Sequence, residues 1–199
     1  MPYNVDPKQQ AVRDEVRAFA EKEMYPVSEH WDRMPEPRTF PYDVYKKLGQ
    51  AGFIGYVMPP ELGGKGKSHL EYITLVEELC YHDAGIGLLC AVGELATHPI
   101  INFANETLRK KYVPDCASGR KVVAFVLTEP NAGSDAANQS TTAVDKGDHY
   151  LVNGEKIFIM HGDVAELGVL FCKIDGKPKM SAMIVETNQP GWQKRTLKN

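Results

Sequence analysis

The stretch Lys121-Val-Val-Ala-Phe-Val-Leu-Thr-Glu-Pro-Asn-Ala-Gly-Ser-Asp135 divides the chain into two vocabularies. Its first half is a run of β-branched and aromatic residues, the composition of a strand, and its second half is a loop of small and hydrogen-bonding residues stiffened by Pro130. Before it the apolar residues recur at helical spacing. After it come short strand-like runs, Thr141 to Val144, Tyr150 to Val152, Lys156 to Ile159, Val169 to Ile174 and Lys179 to Val185, separated by Gly, Asn and Asp turns such as Asp145-Lys-Gly-Asp148. Asn153-Gly154 is a strong hairpin signal by itself. The fold class read from this is α+β: an all-α domain over residues 1–120, then an antiparallel, barrel-like β-domain over residues 121–199, left incomplete at Leu197-Lys-Asn199.

Working back from Lys121, Asn105 reads as the start of a helix through Leu108, Tyr112 and Val113, with Gly119 beyond its end. Asp83 caps a helix whose Ala84 to Gly93 stretch is apolar on all faces, suits a buried position, and ends near His98-Pro99. Ser68 and Glu71 have capping-box spacing before Tyr72, Ile73, Leu75, Val76, Leu79 and Cys80. The glycine-rich run from Met58 to Lys67 breaks regular structure. A further helix begins near Pro41, turns Val44, Tyr45 and Leu48 inward and stops at Gly49 or Gly52. Asp6-Pro7 opens the first helix, with Val12, Val16, Phe19 and Ala20 on one face, bent or ended by Pro26.

Of the 199 residues, 43% are hydrophobic and 25% charged, a globular balance. Lys and Arg number 23 against 26 Asp and Glu, a net charge of -3 that gives no reason to expect nucleic acid or an anionic membrane as partner. The uncharged run from Ala84 to Gly93 is too short to span a bilayer, and the N-terminus lacks a signal pattern, so the expectation is a cytoplasmic protein without a membrane span. Cys80, Cys90, Cys116 and Cys172 and the six histidines lack metal-ligand spacing, so no metal is expected and the thiols read as reduced and mostly buried.

Chemistry has two candidate places. In the loop, Gly133 has no side chain to hold a ligand off the backbone, and Thr128 and Ser134 supply hydroxyls, so it can cradle an anion or a polar ring. On these residues alone an ordinary Asx/ST turn capped by Asp135 is the favoured reading. In Lys156-Ile-Phe-Ile-Met-His-Gly162, Phe158 and Met160 can form a flat apolar wall for a planar ring, or can simply be core, with His161 a turn residue. There is no nucleophile-elbow spacing around Ser134.

Taken together, Ala124 to Asp135 and Tyr150-Leu-Val-Asn-Gly-Glu-Lys-Ile-Phe-Ile159 resemble the middle domain of the acyl-CoA dehydrogenase family. Arg13-Asp-Glu-Val-Arg-Ala-Phe-Ala20, Leu48-Gly-Gln-Ala-Gly-Phe53, Pro60-Glu-Leu-Gly-Gly64 and Arg109-Lys-Lys-Tyr-Val-Pro-Asp115 resemble its N-terminal helical domain, in the same order. The resemblance covers nearly the whole chain. It implies an FAD-dependent flavoenzyme that takes hydrogens from Cα and Cβ of an acyl-CoA thioester and hands electrons to an electron-transfer flavoprotein. It implies that Phe125, Leu127, Thr128, Gly133 and Ser134 meet the flavin's pyrimidine edge and pyrophosphate, with acyl-CoA alongside at Ser134. Phe158, Ile159 and Met160 would face the isoalloxazine ring. Donors at the pyrimidine carbonyls would stabilise the negative charge that reduction places on the ring.

The chain departs from the family's pattern in two ways. Met160 stands where the family usually has threonine, and a thioether cannot donate a hydrogen bond; His161 stands in place of the usual asparagine and is a candidate substitute donor. The resemblance also implies a second helical domain, carrying the catalytic carboxylate and much of a tetramer interface, that has no counterpart here. No catalytic base is therefore assigned, and Glu129 reads as a turn residue. Two other readings stay open: a non-catalytic flavin- or acyl-CoA-binding subunit completed by another chain, and an interaction module without flavin.

Overall fold

The computed structural model describes residues 6–35 and 39–197; the chain's last two residues, part of the Leu197-Lys-Asn199 ending, lie outside them. Six α-helices, α1 Pro7–Phe19, α2 Tyr25–Asp32, α3 Tyr42–Gln50, α4 His69–His82, α5 Ala84–Phe103 and α6 Glu106–Ala117, precede five strands. These are β1 Val123–Val126, β2 Thr142–Asp145, β3 Tyr150–Asn153, β4 Leu167–Ile174 and β5 Met180–Glu186. The helical-then-sheet order read from the sequence holds. The described chain forms two compact units: one runs up to Glu94 and includes Asn105–Arg120, and the other joins Leu95–Ala104 to the chain from Lys121 onward.

Local chemistry sets the helix starts in the first unit. Asp6 closes a capping box with Gln9 and Pro7 takes the first turn of α1, Ser68 and Glu71 close the box of α4, and the Asn105 side chain accepts from Leu108 N at the head of α6. Pro26 does not end the first helix. A π-helical turn over Ala20–Met24 absorbs the missing N–H, and α2 carries Pro26 in its own first turn. The helix expected to stop at His98-Pro99 likewise runs on to Phe103, with Ile100 fully buried, because packing past the proline outweighs the lost backbone bond. By length and composition α5 is apolar enough to cross a membrane. It buries Ile86, Leu89 and Cys90 but leaves Leu88, Leu95 and Phe103 exposed, so the expectation of a helix buried on all faces holds for one face only. The unit's core gathers Val16, Met24, Tyr45, Leu48, Phe53, Leu75 and Leu79, with the Phe19 and Phe53 rings edge-to-face at 5.1 Å.

The sheet is mixed, where the sequence reading made it antiparallel. β4 pairs in parallel with β1 (Val123 opposite Leu167) and with the start of β2 (Thr142 opposite Lys173), and antiparallel with β5 along its length; β2 and β3 form the one antiparallel hairpin on that side. Strand pairings this distant in sequence leave no local signal. The hairpin turns at Lys146 to His149, where Asp145 Oδ1 accepts from Gly147 N at 2.7 Å and Gly147 is left-handed at φ 94°. Asn153-Gly154, expected to make a hairpin, instead ends β3. Glycine is needed there because a Cβ would lie 2.3 Å from Thr141 Oγ1.

Lys156 to Ile159 is not a strand either. Phe158 and His161 adopt φ of 58° and 64°, left-handed values that no β-strand accommodates, and the chain turns through Met160 to Val164. No disulfide joins the cysteines; Cys90, Cys116 and Cys172 are buried and Cys80 half-buried, as the sequence suggested.

Candidate functional site

The C-terminal end of β1 delivers the 127–135 loop. Phe125 points its half-buried ring at Phe171 of β4, centroids 4.8 Å apart. Glu129 and Ala132 exchange backbone bonds of 3.1 and 3.2 Å, pinching Pro130 and Asn131 into a tight turn. Beyond it Gly133 and Ser134 are exposed. At Gly133 an added Cβ would meet nothing within 4 Å and the backbone is not left-handed, so neither packing nor conformation inside the protein calls for glycine. A glycine with no internal reason, next to the Ser134 hydroxyl, leaves room for close approach of an external group.

Beneath that loop lies a polar cluster that the sequence reading did not anticipate. The Lys156 ammonium reaches Leu127 O at 2.7 Å, Gln139 Oε1 at 2.9 Å and Glu129 Oε1 at 2.9 Å, spending all three of its donors. Glu129 also accepts from Ser140 N at 2.6 Å, Ser140 Oγ at 2.7 Å and Thr141 N at 2.9 Å. Burial alone would push its pKa up. The bonds from Thr141, Ser140 and Lys156 together prevail and hold it well below the usual carboxylate range. Both of its oxygens are thus engaged in bonds within the fold. The one available signal was Lys156 itself, a lone cation opening an apolar run.

The neighbouring backbone completes the junction: Ile157 N donates to Thr128 O at 2.9 Å. Leu127 and Thr128 are thus brought against Lys156 and Ile157. No hydrogen bond among the described residues joins Ser134 to this stretch. Past Ile157 the left-handed turn throws Phe158 and Met160 outward, 72% and 42% exposed, while Ile159 is half-buried. Two exposed apolar side chains thus flank a turn held in left-handed backbone angles.

His161 faces the other way. Its ring is buried, and Nδ1 donates to Val123 O at 3.0 Å. Burial lowers its pKa, partly offset by that bond and by Asp163. The ring that the sequence offered as a substitute donor to a flavin is therefore committed at Nδ1 to the sheet.

These features define an α+β protein in which an exposed loop of small and hydroxyl-bearing residues is joined to an apolar turn beside its sheet. Comparison with known proteins gives the family. Residues 6–120 match the acyl-CoA dehydrogenase N-terminal domain and residues 124–199 the acyl-CoA dehydrogenase middle domain. The chain belongs to the acyl-CoA dehydrogenase family. It is 39% identical over 193 residues to an acyl-CoA dehydrogenase of Bacillus subtilis, covering 95% of this chain and 50% of that one. It is 38% identical over 185 residues to the caffeyl-CoA reductase-Etf complex subunit CarC of Acetobacterium woodii, covering 90% and 48%. Among solved structures, the acyl-CoA dehydrogenase complexed with FAD from Bacillus anthracis superposes with a TM-score of 0.85 at 30% identity, covering 96% of this chain and 32% of that one. The chain spans about half the length of the curated relatives it matches.

Proposed function

We propose that this chain is the helical part (residues 1–120) and middle part (residues 121–199) of an FAD-dependent acyl-CoA dehydrogenase that desaturates an acyl-CoA between Cα and Cβ and passes the electrons to an electron-transfer flavoprotein. The observation that carries this reading is the junction of the two motifs, Ile157 N on Thr128 O at 2.9 Å, with Gly133 open on one side and Phe158 and Met160 exposed on the other. FAD, when bound, supplies the acceptor for the hydride that leaves the substrate. The protein's part is to bind and orient it. Thr128 and Ser134 offer hydroxyls to its polar edge and pyrophosphate, Gly133 lets the backbone approach, and Phe125, Leu127, Phe158, Ile159 and Met160 exclude water from the ring. Ser134 also stands at the acyl-CoA side. The FAD-complexed relative and the Etf-complex relative support the cofactor and the electron acceptor. The parent enzyme is read as a cytoplasmic homotetramer.

A second reading is favoured by one observation, the complete engagement of Glu129 beneath the loop. With that carboxylate spent on structure, the base must come from elsewhere, and a flavin- or acyl-CoA-binding subunit completed by another chain is the alternative. Mixing the chain with FAD and removing free flavin by gel filtration tests the shared part. A retained, protein-shifted flavin band supports both readings; its absence removes the flavin site from this chain. Dehydrogenation that appears only on adding a second chain would then favour the subunit.

A further inference from the structure

Two charged side chains that touch no ligand-facing surface sit where the halves of the site meet. These side chains, on Lys156 and Glu129, are 7% and 2% exposed and 2.9 Å apart, although the residues lie 27 positions apart in the sequence. Three segments end on them: the start of the loop through Leu127 O and Glu129, the approach to β2 through Gln139, Ser140 and Thr141, and the stretch that carries Phe158 and Met160. Removing water from two charges costs more than a surface pair regains, so a buried pair is poor evidence of added stability. Its usefulness lies in geometry. Every donor of the ammonium and both oxygens of the carboxylate are engaged, so none of the three segments can shift without breaking a charged bond in a dry site. The groups outside the pair, Gly133, Ser134, Phe158 and Met160, are exposed, and the backbone bond that also joins the loop and turn carrying them runs from Ile157 N to Thr128 O.

We propose that Lys156 and Glu129 are positioning residues for the flavin: the buried pair fixes the hydroxyl-bearing loop, Thr128 to Ser134, against the apolar turn, Phe158 to Met160, at the spacing the cofactor requires. The inference rests on the flavin reading above. The pair does not touch the cofactor; it sets the distance between the two parts that do.

The test uses the whole chain and three variants, Lys156→Met, Glu129→Gln and the conservative Lys156→Arg. Amide hydrogen exchange is followed in peptides covering 127–141, 156–161 and β4–β5, without FAD, and FAD is then titrated while its visible spectrum is recorded. With the pair broken, exchange rises in the first two regions and not in β4–β5, the FAD dissociation constant rises roughly ten-fold, and the flavin band moves toward that of free FAD. Lys156→Arg restores much of each. If Lys156→Met fails to fold, Glu129→Gln, which keeps the shape and one acceptor oxygen, carries the comparison. A folded variant with the parent's exchange pattern, FAD affinity and spectrum overturns the proposal, as does exchange that rises equally in β4–β5. The two failures are distinguishable: a parent that takes up no FAD brings down the flavin reading and the role of the pair with it. A parent and variants that bind FAD alike bring down the positioning role alone.

Discussion

His161 donates from Nδ1 to the carbonyl of Val123 across 3.0 Å, tying the far end of the left-handed turn to the first residue of β1. The ring is buried, and burial lowers its pKa from the ordinary 6.5. Protonation therefore favours the unfolded chain: the stability gained by keeping the imidazole neutral is complete above pH 6.5 and is lost as pH falls from there toward the folded value. Urea melts of the parent and of His161→Asn across this range should converge as the pH drops. A gap between the two that does not change with pH would mean that the ring is not held neutral.

Glu129 responds in the acid range. Its folded pKa lies below the ordinary 4.5, so its contribution is present above pH 4.5 and disappears as pH falls through the folded value. Glu129→Gln should flatten the acid limb of the stability curve below about pH 4.5 while leaving the histidine-dependent region alone.

Breaking the pair from the other side should be costlier at neutral pH. Lys156→Met leaves a buried carboxylate with its backbone donors but no cation, and a loss of about 3–5 kcal/mol in denaturant unfolding is expected. The double variant with Glu129→Gln should lose less than the sum of the two single losses. Strict additivity would show that the two charges do not interact.

Two glycines separate ligand chemistry from packing. At Gly154 a Cβ would lie 2.3 Å from Thr141 Oγ1, so Gly154→Ala should destabilise the sheet by roughly 1–3 kcal/mol. At Gly133 a Cβ meets nothing within 4 Å, so Gly133→Val should leave the unfolding free energy within about 0.5 kcal/mol of the parent. The same variant should abolish FAD retention. Retention equal to the parent's would remove the loop from the site.

The contrast between these two glycines shows what a sequence can and cannot carry. Asp6, Ser68 and Asn105 announced helix starts because a cap is made with residues three positions or fewer away. The family resemblance likewise marked both motifs. Asn153-Gly154 misled because its glycine answers to Thr141, and Lys156 to Ile159 misled because its apolar residues pattern as a strand while Phe158 and His161 take left-handed angles. Pro99 pointed to a helix end that the burial of Ile100 overrides. The Lys156–Glu129 pair was invisible for the same reason as the parallel pairing of β4. Each partner is chosen by tertiary proximity, and a lone charge in a sequence reads as a solvated one.

Met160 offers the most direct probe of the proposed flavin face. Its side chain is 42% exposed on the turn between the left-handed Phe158 and His161, and a thioether there can cover a ring but cannot donate to it. Met160→Thr exchanges apolar cover for a hydroxyl donor, the residue type usual in the family. Because the site is exposed, the unfolding free energy should move by no more than about 0.5 kcal/mol. If the turn faces the flavin, the new donor stabilises the electron-rich reduced ring more than the oxidised one. One hydrogen bond of about 1 kcal/mol raises a two-electron midpoint by roughly 20 mV. Spectroelectrochemical titration of the FAD-loaded chain and variant measures that difference. A midpoint unchanged by the substitution, with FAD retained in both, would place the Met160 side chain away from the ring and leave Phe158 as the apolar contact to test next.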